Sequence, residues 1–259
     1  MKWWTLSIGL VVVLTACEKP LDERRDIHGF NPLQRAVRQG DLAKVQTLLA
    51  QGASVLVSDV DGNTALHEAA HEGDLDIATL LLDWRADPNM RNHADWTPLH
   101  IAAYKDDAEM VKLLLEYSAD PMMKAGDGRT ALHMAVGRGN QRMVDMLSAD
   151  WDTGGGNAGL VNLRNAEGVT AFHMALQKGD WNVTQMLLNR GADVNIPDPT
   201  GQYPVHLAVE KGDNVLLVAL IDAGADLGKQ NAEGMTPYGY ASVLGNQKAA
   251  EVIWSRGGR

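Results

Sequence analysis

A seven-residue phrase, Thr97-Pro98-Leu99-His100-Ile101-Ala102-Ala103, returns along the chain at a fixed interval. The equivalents of Thr97 are Asn31, Thr64, Thr130, Thr170, Tyr203 and Thr236, spaced by 33 residues except for the 40 between Thr130 and Thr170. A period of this length dictates a stack of like units sharing a core with their neighbours, not a closed globule. We count seven units in the 259 residues. The formal charge of −10 argues against a nucleic-acid partner, because neutralising phosphates needs a basic face.

Each unit reads as two short helices. Thr97 is suited to cap the first, with Pro98 at its first position, where a missing N–H costs nothing. Gly-Asp pairs such as Gly73-Asp74 and Gly179-Asp180 end that helix and cap the second. The second helix buries leucine pairs, Leu81-Leu82, Leu114-Leu115 and Leu187-Leu188, and stops at Gly191-Ala192-Asp193 or its equivalents. The pattern is nearly complete in unit three: Thr97-Pro98-Leu99-His100, Ala102-Ala103, Val111, Leu114-Leu115 and Ala119-Asp120. It resembles the ankyrin repeat, and the resemblance covers residues 31–259. It implies an all-α solenoid of about seven helix-turn-helix units joined by short β-hairpin turns. The units fall near 31–62, 63–95, 96–128, 129–168, 169–201, 202–234 and 235–259. Unit one lacks the histidine, and unit seven, with Thr236-Pro237-Tyr238-Gly239, is expected to carry a shortened second helix, as end caps depart from the repeat. Unit four gains seven residues within Ser148–Gly159, including Trp151 and Gly154-Gly155-Gly156, either a tolerated loop or a binding feature.

Residues 1–16 have signal-peptide proportions: Lys2, then an apolar run from Leu6 to Leu14 too short to span a bilayer. Leu14-Thr15-Ala16-Cys17 resembles the lipobox of bacterial lipoproteins, in which the cysteine is acylated, palmitate included, and becomes the first mature residue. Cys17 is the only cysteine in the sequence, which favours this over an ordinary secretory signal. Several acyl chains anchor firmly where one does not. By the sorting pattern of enteric lipoproteins, Glu18 after the cysteine implies the outer membrane, with the protein facing the periplasm. Residues 17–30 are then the lipidated cysteine and a charged tether.

The most tempting catalytic signal is His67-Glu68-Ala69-Ala70-His71, a literal H-E-x-x-H that would set two imidazoles one helical turn apart. His67, however, occupies the slot shared by His100, His133, His173 and His206, so the repeat makes it framework. Asp59-Val60-Asp61-Gly62 lacks the remaining carboxylates of a calcium loop and reads as a turn. No phosphate loop or nucleophile elbow occurs. We expect no enzyme activity, metal or cofactor.

Function is expected where units differ. In ankyrin proteins the hairpin tips and the two positions after the Ala-Ala pair line one concave face. The second of these positions carries Lys105, Arg138, Lys178 and Lys211 in four consecutive units, a basic row on an acidic protein, although such a row also reads as ordinary solvated charge. Trp96, with Tyr104, is the expected hot spot, joined by His71, His93 and Arg129. An envelope-anchored ankyrin lipoprotein is similar to the immunity proteins that some bacteria keep beside antibacterial phospholipase effectors of the type VI secretion system. That resemblance implies a protein partner, a toxic lipase. The alternative is a periplasmic scaffold or stress-tolerance protein like the ankyrin proteins beside periplasmic catalases. A capped solenoid is expected to be monomeric alone.

Overall fold

The computed structural model describes residues 20–27, 29–149 and 158–259. Unit one pairs α1 (Pro32–Arg38) with α2 (Leu42–Ala50), unit two α3 (Ala65–Glu72) with α4 (Leu75–Asp83), and unit three α5 (Pro98–Lys105) with α6 (Ala108–Glu116). Unit four pairs α7 (Ala131–Arg138) with α8 (Gln141–Ser148). A single turn, α9 (Ala158–Val161), leads to unit five, α10 (Ala171–Lys178) and α11 (Trp181–Asn189). Units six and seven are α12 (Pro204–Lys211) with α13 (Asn214–Asp222) and α14 (Pro237–Val243) with α15 (Gln247–Ser255). First helices pack on neighbouring first helices and second helices on second helices, giving two rows around one continuous apolar core.

The local chemistry explains the breaks. At Thr97 the hydroxyl lies 2.8 Å from His100 Nδ1, and the Thr97 N–H donates to that nitrogen at 3.2 Å. The same reciprocal cap closes α3, α7 and α10. Asp74, Asp107, Asp180 and Asp213 cap the second helices by accepting from the backbone three residues on. The alanines of the pairs are fully buried, which lets adjacent first helices approach closely.

One bond type ties each unit to the next. In units two to five Nδ1 accepts from the cap, and in all five histidine-bearing units Nε2 carries the proton and donates to a carbonyl of the following unit. His67 reaches Trp96 O at 3.0 Å, His100 Arg129 O at 3.2 Å and His133 Val169 O at 3.2 Å. His173 reaches Ile196 O at 3.0 Å and His206 Met235 O at 2.9 Å. In unit one Gln34 takes over both jobs: its Oε1 accepts from Asn31 N and its Nε2 donates to Asn63 O at 2.6 Å.

Four expectations need correction. The turns are not strand-bearing hairpins: among the described residues only one isolated bridge forms, Arg164 with Thr170. The tips are instead held by side-chain caps, as where Asp59 Oδ1 accepts from Asp61 N and Asn63 N, which leaves no run long enough for a ladder. The segment assigned to a tether is built into the array in its described part. Leu21 packs on the core, Asp22 Oδ1 accepts from Ser54 N at 3.1 Å, and Asp26 with Gly29 forms a turn like that of Asp59 with Gly62 one period later. Unit seven's second helix is not shortened, since α15 is nine residues long, like α13. Leu188 is only half-buried, unlike Leu187. The lipobox with Cys17, Trp151 and the glycine triplet lie outside the described residues. The insertion rejoins the core at α9, where Leu160 and Val161 are fully buried.

Unit six breaks the cap. Tyr203 stands where a threonine hydroxyl belongs, and the buried Nδ1 of His206 has no partner. Tyr203→Thr should therefore raise the thermal unfolding midpoint. The gained cap is worth about 1 kcal/mol, roughly 2–4 °C for a chain of this size. A lower midpoint would show that packing of the Tyr203 ring, 5.9 Å from the His206 ring, outweighs the hydroxyl.

Candidate partner-binding face

The exposed ends of the first helices and the tips of the turns form one face of the array. Three of the expected residues come together there. The Trp96 and Tyr104 rings meet edge to face with centroids 5.3 Å apart, and the Arg138 guanidinium lies 4.7 Å over the Tyr104 ring. Tyr104 is half exposed. Such cation–π contacts at the surface are worth about 0.5–1 kcal/mol, which favours the stacked orientation roughly two- to fivefold. Lys105, on the next residue, is exposed with no partner among the described residues.

The rest of the basic row is not free in the way the spacing suggests. Lys178 Nζ donates to Gly137 O at 2.6 Å and Val136 O at 3.2 Å, and Lys211 Nζ donates to Leu176 O at 2.7 Å. Both ammonium groups thus satisfy carbonyls at the C-terminal end of the preceding unit's first helix, where the helix dipole favours positive charge. Arg129 is held by Asp127, its Nε 2.6 Å from the carboxylate. Burial pushes the Asp127 carboxyl up, but hydrogen bonds from the Arg129 backbone and side chain hold it below its ordinary value. His71 is exposed, with Nδ1 3.1 Å from Glu72 Oε1. His93 contributes through its backbone, whose N–H links the tip of unit three to Asp61 O at 2.9 Å.

The spacing did not reveal a cleft of about 450 Å³ between the tips of units four and five and α10. Its floor holds Val169 and Met174, its rim Arg129, Glu167 and Gln177. Nor did it show that units two and three hold four non-glycine residues in the left-handed region. Arg85 (φ 64°), Asp95 (φ 57°), Asp106 (φ 65°) and Ser118 (φ 63°) stand where other units place glycine.

The H-E-x-x-H stretch cannot present a metal pair. Both nitrogens of the buried His67 are engaged, Nδ1 with Thr64 and Nε2 with Trp96 O. Glu68 is buried beside Arg38, whose guanidinium lies 3.6 Å away; burial raises its pKa and Arg38 offsets part of the rise. No group of three or more metal-binding side chains occurs among the described residues. No described helix is long and apolar enough to cross a membrane. Burial lowers the pKa of all five framework histidines, that of His100 and His133 to about 4.

A family model described as ankyrin repeats matches in three copies, over residues 7–92, 85–154 and 172–258. No curated protein matches the sequence. Among solved structures, the ankyrin repeat domain of Bcl-3, described as a unique member of the IkappaB protein family, superposes with a TM-score of 0.73. That match has 26% sequence identity and covers 87% of this chain and 99% of that one.

Two measurements check this electrostatic layout. Histidines of the unfolded chain protonate near pH 6.5, whereas in the folded chain His100 and His133 hold out to about 4 and burial lowers His67, His173 and His206 as well. Their contribution is therefore full above pH 6.5 and lost as pH falls toward 4. Glu68 works in the opposite direction but is one group against five. Thermal melts should show a midpoint that drops steeply between pH 6.5 and 4, with a shallower drop in His133→Gln. Separately, Lys178→Glu and Lys211→Glu should each cost about 1 kcal/mol or more in denaturant melts, and Lys105→Glu almost nothing. Equal effects at the three positions would contradict the helix-end role.

Proposed function

The chain belongs to the ankyrin-repeat family, and on that premise we propose that it is a non-catalytic binding protein of the bacterial envelope, anchored by acyl groups at Cys17. On this reading it is an immunity protein. It neutralises a toxic effector, such as a type VI secretion phospholipase, by occluding it. The Leu14-Thr15-Ala16-Cys17 stretch and Glu18 support the lipid anchor and an outer-membrane, periplasm-facing position.

One observation carries the binding reading: the Trp96–Tyr104–Arg138 stack beside Lys105. Tryptophan, tyrosine and arginine are the side chains that most often dominate an interface. Here they are already held in place, so a partner spends little ordering them. An outward cation on an acidic chain suits an acidic patch of a protein partner, with gains in encounter rate and specificity.

Because Lys178 and Lys211 help hold the array together, charge reversal of the whole row would confuse lost binding with lost fold. Trp96 is partly buried against the core, so the clean variant is Tyr104→Ala with Lys105→Glu and Arg138→Glu. Co-expressed with the product of the adjacent gene, the native protein should co-purify with it and suppress its toxicity. The triple variant should melt near the native temperature and bind at least about 100-fold more weakly, as expected when two or more hot spots are removed. Unchanged affinity would sink the assignment of this face.

A further inference from the structure

Unit four interrupts the face at one position. The first residue after the paired small residues bears a side chain in every other unit, Tyr104 before it and Gln177 after it, but in unit four it is Gly137. Gly137 lies inside α7 with ordinary helical backbone, because Gly139 (φ +80°) supplies the left-handed turn that ends the helix. A Cβ added at Gly137 would meet only Met174 Cε at 3.5 Å, an ordinary contact. Neither conformation nor packing asks for glycine here, and helical preference is against it. A residue that breaks a local rule with no structural return points to a backbone that something approaches closely.

The surroundings specify the visitor. Gly137 O holds the Lys178 ammonium at 2.6 Å, and the next residue, Arg138, lays its guanidinium on Tyr104. Beyond Gly137 the Met174 methyl leads into the cleft. At the outer lip, the exposed Glu167 carboxylate has no partner among the described residues and keeps acidic groups away from that side. We propose that Gly137 is a notch that receives a glutamate side chain from a loop of the protein partner. The aliphatic stem rests on Met174 and the carboxylate lies between Lys178 and Arg138, each still able to donate. This rests on the reading of the face given above and names the chemistry it recognises.

The test uses the full chain and two probe peptides, N-acetylated triglutamate amide and its triglutamine counterpart, followed by the Met174 methyl and Gly137 amide resonances. The glutamate peptide should shift both in a salt-sensitive way and the glutamine peptide should not. Gly137→Leu should weaken the effect at least tenfold. Gly137→Ala, read without any ligand, should raise the thermal midpoint by about 2 °C. A lower midpoint would make the glycine structural and overturn the notch. So would shifts that persist in Gly137→Leu or that both peptides produce equally. If the glutamate peptide moves only Trp96 and Tyr104, the face stands and the notch falls; if nothing moves, both fall.

Discussion

Everything in this array depends on a neutral ring bridging two repeats. In units two to five the imidazole accepts the cap of its own helix through Nδ1 and donates through Nε2 to a carbonyl one unit on, as at His100. A single tautomer satisfies both ends, and burial keeps it neutral. Each such bond is worth about 1 kcal/mol net, but a partner lost in the interior leaves a buried polar group costing about 1–3 kcal/mol. Register between units is therefore enforced more by the penalty for slipping than by the reward for matching. Gln34 makes the point chemically. It shares no ring with histidine, yet it offers an acceptor and a donor at similar reach and performs the same two tasks.

The repeat made the scaffold legible because its determinants are local. A threonine three residues before a histidine, a proline at the first helical turn and a Gly-Asp break each act within a few bonds, so reading them in order yields helix limits close to those observed. Other signals were present but weaker. Asp26 and Gly29 anticipate Asp59 and Gly62 by one period, which marks the supposed tether as part of unit one, but without a neighbouring Thr-Pro-Leu-His the echo is easily missed.

The binding face was less legible, for a reason that Lys178 illustrates. Spacing places a residue on a face, but a four-carbon side chain can turn either to solvent or to its own scaffold, and the orphan carbonyls at a helix end decide which. Arg138 and Lys178 occupy equivalent positions and lean the same way. One finds a tyrosine ring, because unit three carries Tyr104, and the other finds the carbonyls of Val136 and Gly137. Their roles are set by the neighbouring unit, information that lies 34 or 41 residues away in the chain.

The docking of Leu21 and Asp22 on unit one also bears on how the molecule would sit in an envelope. Only three residues of chain separate Leu21 from the cysteine proposed to be acylated, a leash of four residue steps and at most about 14 Å even when fully extended. A protein so tethered does not sweep a wide volume in search of its target. With that anchor, unit one would stay at the bilayer surface, and a target would have to come within roughly one array length of the membrane to be caught.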